Sequence, residues 1–185
     1  MGTGSISAVS DAGPLIHLAE IDCLSLLSIL ESLHIPDAAW SEATELGRTP
    51  PADILRLGNV QRHTLSQAKV TRFIQRNSLE ELHTGERECL YLCQQINVPL
   101  LLTDDLAVRE AAKGLNLVPI GSLGIVVRAY RLGHVSLAEA EHRITELHDV
   151  SSLFVTRAIV ELAIERLYGH TSQDSRKDGT ERQAN

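Results

Sequence analysis

The stretch Ile6-Ser7-Ala8-Val9-Ser10-Asp11, continued by Ala12-Gly13-Pro14-Leu15-Ile16, decides the fold of this chain. Its small and β-branched residues predict a short buried strand that ends at Asp11. The apolar run that follows predicts a helix with Pro14 as its first helical residue. An acid at the carboxyl end of a first strand lies where open α/β sheets place their ligand crevice. Asp11 is therefore the first candidate site residue.

Composition limits the class of protein. The chain has 185 residues, of which 43% are hydrophobic, so it can bury the core of one globular domain. No apolar run approaches the roughly 20 residues of a membrane-spanning helix, and residues 1–4 lack the features of a secretory signal, so we expect a cytoplasmic protein. A net charge of -7 argues against a general nucleic-acid coat protein, because phosphate binding needs concentrated Lys and Arg. Cys23, Cys89 and Cys93 are predicted to be buried small hydrophobes.

Strand patterns alternate with helix patterns along the chain. The further predicted strands are Leu33–Ile35, Val60–Leu65, Val98–Thr103 and Leu117–Ile120. This alternation predicts an α/β fold with a central, mostly parallel sheet flanked by helices, an α/β/α sandwich. We expect a single domain over residues 1–168, with a C-terminal helical extension from about residue 133 and a final helix over Val155–Tyr168. The polar residues 169–185 predict a disordered tail.

Two glutamates occupy predicted helices. Glu42 lies on the edge of the apolar stripe of a helix over Ala38–Leu46, for which Asp37 is the predicted cap. An acid there can reach into a cleft, although an ordinary surface glutamate is the simpler interpretation.

Glu86 lies in the first turn of a helix that runs from Gly85 to Ile96, with Thr84 as the predicted N-cap. It projects onto the buried stripe, whereas Glu88 is predicted to point away. A glutamate that only complements the helix dipole has no need to face inward.

Two further acids follow the most apolar strand of the sequence. Asp104 and Asp105 come directly after Thr103, before another predicted helix. One aspartate is explained as a helix cap, but two exceed what capping needs.

Taken together, acids from four separated segments are predicted to meet at one edge of the sheet. Carboxylates that converge repel each other, and a bound cation removes that repulsion. An all-oxygen set favours Mg²⁺ or Mn²⁺, which can activate a water and stabilise the leaving oxygen of a phosphodiester. The candidate metal-binding and catalytic residues are Asp11, Glu42, Glu86, Asp104 and Asp105.

With these motifs the chain resembles the PIN-domain ribonucleases, particularly the VapC-like group, over about residues 5–130. The stretches that carry the resemblance are Val9–Ile16, Ile35-Pro36 leading to Glu42, Gly85-Glu86, Leu101–Asp105 with Arg109, and Ile120–Gly124. The resemblance implies that Asp11, Glu42, Glu86 and one of Asp104 or Asp105 bind the metal. It also implies Mg²⁺- or Mn²⁺-dependent cleavage of single-stranded RNA, often by the toxin of a toxin–antitoxin pair, and often by a homodimer.

The chain departs from the commonest pattern of that family in two places. The third acid is Glu86, where aspartate is frequent, which lengthens the side chain by a methylene. The fourth acid is ambiguous: a Thr-x-Asp pattern favours Asp105, whereas Asp104 directly follows the strand. A slight preference goes to Asp105.

Other interpretations stay open. The chain could be a PIN-like binding or regulatory module that keeps the fold without productive metal geometry. Lys69, Arg72 and Arg76 share one face of a predicted helix, either as a phosphate-contacting ridge or, more commonly, as a solvated face. His17 and His34 are predicted to be satisfied residues of the core rather than ligands, and Trp40 a packing residue.

Overall fold

A computed structural model describes residues 6–174, except for the side chains of residues 46 and 170–174. Its strands are β1 (Ser7–Ser10), β2 (Ser32–Pro36), β3 (Val60–His63), β4 (Leu100–Leu102) and β5 (Val118–Ile120). Its α-helices are α1 (Ala12–Glu20), α2 (Asp37–Thr44), α3 (Pro51–Leu55), α4 (Gln67–Asn77), α5 (Thr84–Ile96), α6 (Leu106–Gly114), α7 (Ser122–Arg131), α8 (Leu137–Asp149) and α9 (Arg157–Asp174). Short 3₁₀ helices cover Leu24–Ile29 and Glu45–Gly47.

The five strands form one sheet in the order β3-β2-β1-β4-β5, and every pair in it is parallel. This confirms the predicted α/β fold with helices around a parallel sheet. The chain first builds outward from β1 to β3 and then returns to the other side of β1 for β4 and β5. The strand order therefore reverses between β1 and β4, where α/β folds form their ligand crevice.

The middle of the sheet is buried on both faces. Val9 of β1 pairs with Leu101 of β4, and neither residue is exposed to solvent. Helix α5 packs across β1, β2 and β4 with Cys89, Leu92 and other apolar residues. All three cysteines are buried and free, as the sequence predicts.

Helices α1, α5 and α2 begin at other residues, or have other caps, than the sequence predicts. Helix α1 starts at Ala12 rather than Pro14, because the Asp11 carboxylate accepts a hydrogen bond from the Ala12 amide at 2.9 Å and caps the helix there. Helix α5 is capped by His83 rather than Thr84.

Helix α2 has no cap from Asp37, because that carboxylate accepts hydrogen bonds from Arg62 at 2.8 Å and Thr64 at 2.5 Å instead. The helix ends at Thr44, two residues before its predicted end at Leu46.

Helices α8 and α9 pack against α7 and bury Ile144, Leu147 and Leu167. Helix α9 runs from Arg157 to Asp174, so the predicted helix Val155–Tyr168 began two residues too early and ended six residues too early. The rest of the predicted tail, residues 175–185, lies outside the described residues. No helix within residues 6–174 is long and apolar enough to cross a membrane.

Candidate functional site

Asp11 occupies the centre of the sheet edge at which the strand order reverses. Its backbone amide donates to Leu102 of β4 at 2.9 Å, which continues the pairing of the two strands by one residue. Asp11 is only 7% exposed, and its carboxylate accepts hydrogen bonds from the Ala12 amide and, at 3.2 Å, from the Thr103 hydroxyl. A carboxylate is thus held deep in the crevice with two neutral donors.

Burial is the main cause that raises the pKa of Asp11 to about 7; the hydrogen bonds from Ala12 and Thr103 oppose the rise, and the negative charges of Glu42 and Glu86 add to it. The ionised form of Asp11 is therefore unfavourable in the protein alone. A cation beside it would supply the missing compensation.

Glu42 approaches Asp11 from α2, on the exposed side of the crevice. Its Oε2 atom lies 3.3 Å from the position that a Cβ atom on Gly85 would occupy. Glycine at this position therefore lets the Glu42 carboxylate pass close to the start of α5. Glu42 is exposed, as an ordinary surface glutamate would be, and its carboxylate lies beside the start of α5.

Glu86 lies half-buried in the first turn of α5. Its carboxylate accepts a hydrogen bond from the His83 amide at 2.7 Å, which completes a capping box. Burial raises its pKa, the hydrogen bond from His83 opposes this, and the charges of Asp105 and Glu42 raise it again. Glu86 is thus both a cap and a member of the acidic cluster.

The two neighbouring aspartates have different surroundings. Both oxygens of Asp104 are engaged: His17 Nδ1 lies 2.8 Å and the Ser122 hydroxyl 2.6 Å from Oδ2, and the Ser122 amide donates to Oδ1 at 2.7 Å. Asp105 is exposed, caps α6 through the Val108 amide at 2.9 Å, and contributes charge at Glu86. The structure therefore places the charge of Asp105 near Glu86 and ties Asp104 to α1 and α7.

Sequence reasoning missed the residues that support the crevice. His17 was predicted to be a satisfied core residue, and it is satisfied, but by Asp104 at the site. Thr103 links the two strand ends, because its hydroxyl donates to Asp11 and accepts from the Asp105 amide at 3.3 Å. Ser122 lies within the stretch Ile120–Gly124 of the family resemblance, which was its one signal in the sequence.

The prediction that Glu88 points away from the buried face of α5 was wrong. Glu88 is 4% exposed rather than directed to solvent. Its carboxylate accepts hydrogen bonds from the Ala38 amide at 3.2 Å and from Gln67 at 2.7 Å. Glu88 thus complements the positive end of α2, the role predicted for Asp37. It belongs to the packing of helices and not to the crevice.

The donor set of the crevice consists of carboxylate oxygens, which Mg²⁺ and Mn²⁺ prefer. Within residues 6–174, no three His, Cys, Asp or Glu side chains converge as closely as a bound metal ion requires. The fit to a cation therefore rests on the chemistry of the donors and on the uncompensated carboxylate of Asp11.

One comparison with known proteins identifies a relationship. A family model described as a PIN domain, DUF3368, matches residues 7–168. The match includes every element from β1 to most of α9. Neither the search of curated proteins nor the search of solved structures finds a match to this chain.

The raised pKa of Asp11 makes a prediction about stability. The folded protein keeps the Asp11 proton to a higher pH than the unfolded chain, so this group's contribution to the free energy of unfolding falls as pH rises toward about 7. In EDTA, the free energy of unfolding of the wild type should fall between about pH 5 and pH 8 by on the order of 2 kcal/mol more than that of Asp11→Asn. Urea unfolding measures the difference. The exposed Glu45→Gln should follow the wild type, and an Asp11→Asn curve parallel to both would contradict the account.

A second prediction concerns the close packing of Gly121 against the Asp104 carboxylate. A Cβ atom there would lie 2.6 Å from Asp104 Oδ1, so an added methyl group must displace the carboxylate from Ser122. Gly121→Ala should lower the free energy of unfolding by about 1–3 kcal/mol. Gly114→Ala is the matched control, because nothing lies within 4 Å of its added Cβ. Equal stability of the two variants in thermal unfolding would show that Asp104 is not held as described.

Proposed function

Because the chain belongs to the PIN-domain family, whose members are generally nucleases, we propose that it is a divalent-metal-dependent endoribonuclease that cleaves single-stranded RNA. The observation that carries this proposal is the acidic cluster at the reversal of the strand order. It combines a buried carboxylate of raised pKa, Asp11, with the nearby charges of Glu42 and Glu86. Repulsion of this kind is useful to a protein that binds a cation there.

We assign Asp11, Glu42, Glu86 and Asp105 as the carboxylates that would hold Mg²⁺ or Mn²⁺. Such an ion supplies Lewis acidity, lowering the pKa of a bound water and stabilising the leaving oxygen of a phosphodiester. Asp11 is oriented by Ala12 and Thr103, so it is fixed before any ligand arrives. Glu86 is oriented by the His83 amide.

Asp104 has a positioning role in this proposal rather than a place among the ligands. Its contacts with His17 and Ser122 fix the turn after β4, from which Asp105 projects. Thr103, one residue earlier, holds both Asp11 and the backbone of Asp105. These contacts set the separation between carboxylates that come from different strands.

A cleavage assay tests the proposal. Purified protein is titrated with Mn²⁺ and Mg²⁺ while the cleavage of a mixed single-stranded RNA is followed on a gel. We expect cleavage that requires the divalent ion and that falls more than ~100-fold in Asp11→Asn, Glu42→Gln and Asp105→Asn, since each removes a carboxylate from the ion. Cleavage should fall less in Asp104→Asn than in Asp105→Asn.

Glu45→Gln is the matched control for Glu42→Gln, because Glu45 is also exposed and lies three residues further along the chain. This variant should cleave RNA as the wild type does. The wild type should also gain thermal stability when Mn²⁺ is added. A wild type that neither cleaves RNA nor responds to divalent ions would favour the alternative, a PIN-like binding or regulatory module.

We further propose a VapC-like role, in which the protein is the toxin of a toxin–antitoxin pair, forms a homodimer and is neutralised by a cognate antitoxin. Support comes from the sequence resemblance and from exposed apolar side chains near α9, among them Phe154 at 96% exposure. Induced expression in a bacterial host should arrest growth with the wild type and not with Asp11→Asn at equal protein levels. Equal growth of the two strains would contradict the toxin role.

A further inference from the structure

Helix α4 carries a ridge of positive charge outside the acidic crevice. Lys69, Arg72 and Arg76 recur every three or four residues, so they lie along one side of the helix. All three are exposed, and no ion pair within the part of the chain that the structure describes involves any of them. Three cations are therefore gathered without local neutralisation on a chain whose net charge is -7.

The ridge borders a groove rather than a flat surface. A cavity of about 440 Å³ is lined by the three cations together with Phe73, Tyr91 and Leu115, among others. The rings of Phe73 and Tyr91 are half-buried and meet edge to face, with centroids 5.6 Å apart. The groove thus combines aromatic surface with a cationic rim, in a chain in which only 3% of residues are aromatic.

This combination matches one class of ligand better than others. Single-stranded nucleic acids bind to grooves in which cations follow the phosphates and aromatic or guanidinium groups stack on bases. An acidic peptide would satisfy Arg72 and Arg76 but would leave the rings without a stacking partner. The net negative charge of the protein repels any polyanion, so a local cluster of cations determines where one can bind.

The groove and the acidic crevice are connected by α5. Glu86 lies in the first turn of this helix, and Tyr91 follows five residues later on the same element. Five residues correspond to an axial rise of about 8 Å and a rotation of about 140°, so Glu86 and Tyr91 lie on different sides of α5. The groove is therefore a surface separate from the crevice, carried by the same helix.

We propose that the groove between α4 and α5 binds a segment of single-stranded RNA outside the acidic crevice, with Arg72 and Arg76 on its phosphates. The inference rests on the proposed function, because it gives the same substrate a second contact surface. The groove contributes affinity for RNA of any sequence, since phosphate contacts carry no base information.

Equilibrium binding tests the groove without cleavage. The anisotropy of a fluorescein-labelled single-stranded RNA of about 12 nucleotides is measured against the full-length protein in EDTA, over a series of salt concentrations. Arg72→Gln/Arg76→Gln should weaken binding at least ~fivefold at low salt and reduce the slope of log Kd against log salt by about 1.4, the value for two lost phosphate contacts on a single strand.

Arg56→Gln/Arg157→Gln removes the same charge from exposed positions that pair with Asp53 and Glu161, and it should keep the wild-type slope. Equal weakening by both double variants would overturn the proposal, because general electrostatics would then suffice. Displacement of the RNA by a glutamate-rich peptide that itself binds more tightly would also overturn it, in favour of a protein partner.

A parallel Mn²⁺ cleavage assay separates this inference from the proposed function. Cleavage by the wild type together with an unchanged salt slope in Arg72→Gln/Arg76→Gln would overturn the groove alone. A reduced slope without any cleavage would support the groove as an RNA-binding surface and contradict the nuclease.

Discussion

The buried carboxylate of Asp11 is the constraint on which the rest of the site depends. It directly follows β1, caps α1 and lies between β1 and β4, where the strand order of the sheet reverses. Its pKa of about 7 reflects a low-dielectric setting in which further negative charge is close by. A protein that only needed a helix cap could use Ser or Asn at this position without that destabilisation.

The acids around Asp11 differ in whether their carboxylate oxygens have hydrogen-bond partners within the protein. Asp104 and Glu88 have partners for their oxygens within the protein, and they connect elements of the fold. Glu42 and Asp105 are exposed beside the crevice and retain oxygens that can face a ligand. The distinction follows from hydrogen-bond partners rather than from position in the chain, since Asp104 and Asp105 are adjacent.

Local patterns in the sequence were sufficient to predict the alternation of strands and helices and the position of Asp11. The strand that ends at Asp11, the apolar run before Thr103 and the alternation of strands with helices follow from side-chain periodicity and capping. The partners of Glu88 and Asp104 could not be predicted, because Glu88 meets Ala38 fifty residues away and Asp104 meets His17 across the sheet edge. A helix wheel assigns Glu88 to solvent, since it does not represent the helix packed beside α5.

Direct calorimetric titration of Mn²⁺ into the metal-free protein tests the central claim that these acids form one cation site. The account predicts saturable binding that is lost in Asp11→Asn and retained in the matched surface variant Glu45→Gln. Undiminished binding by Asp11→Asn, or no binding by the wild type at millimolar Mn²⁺, would contradict it.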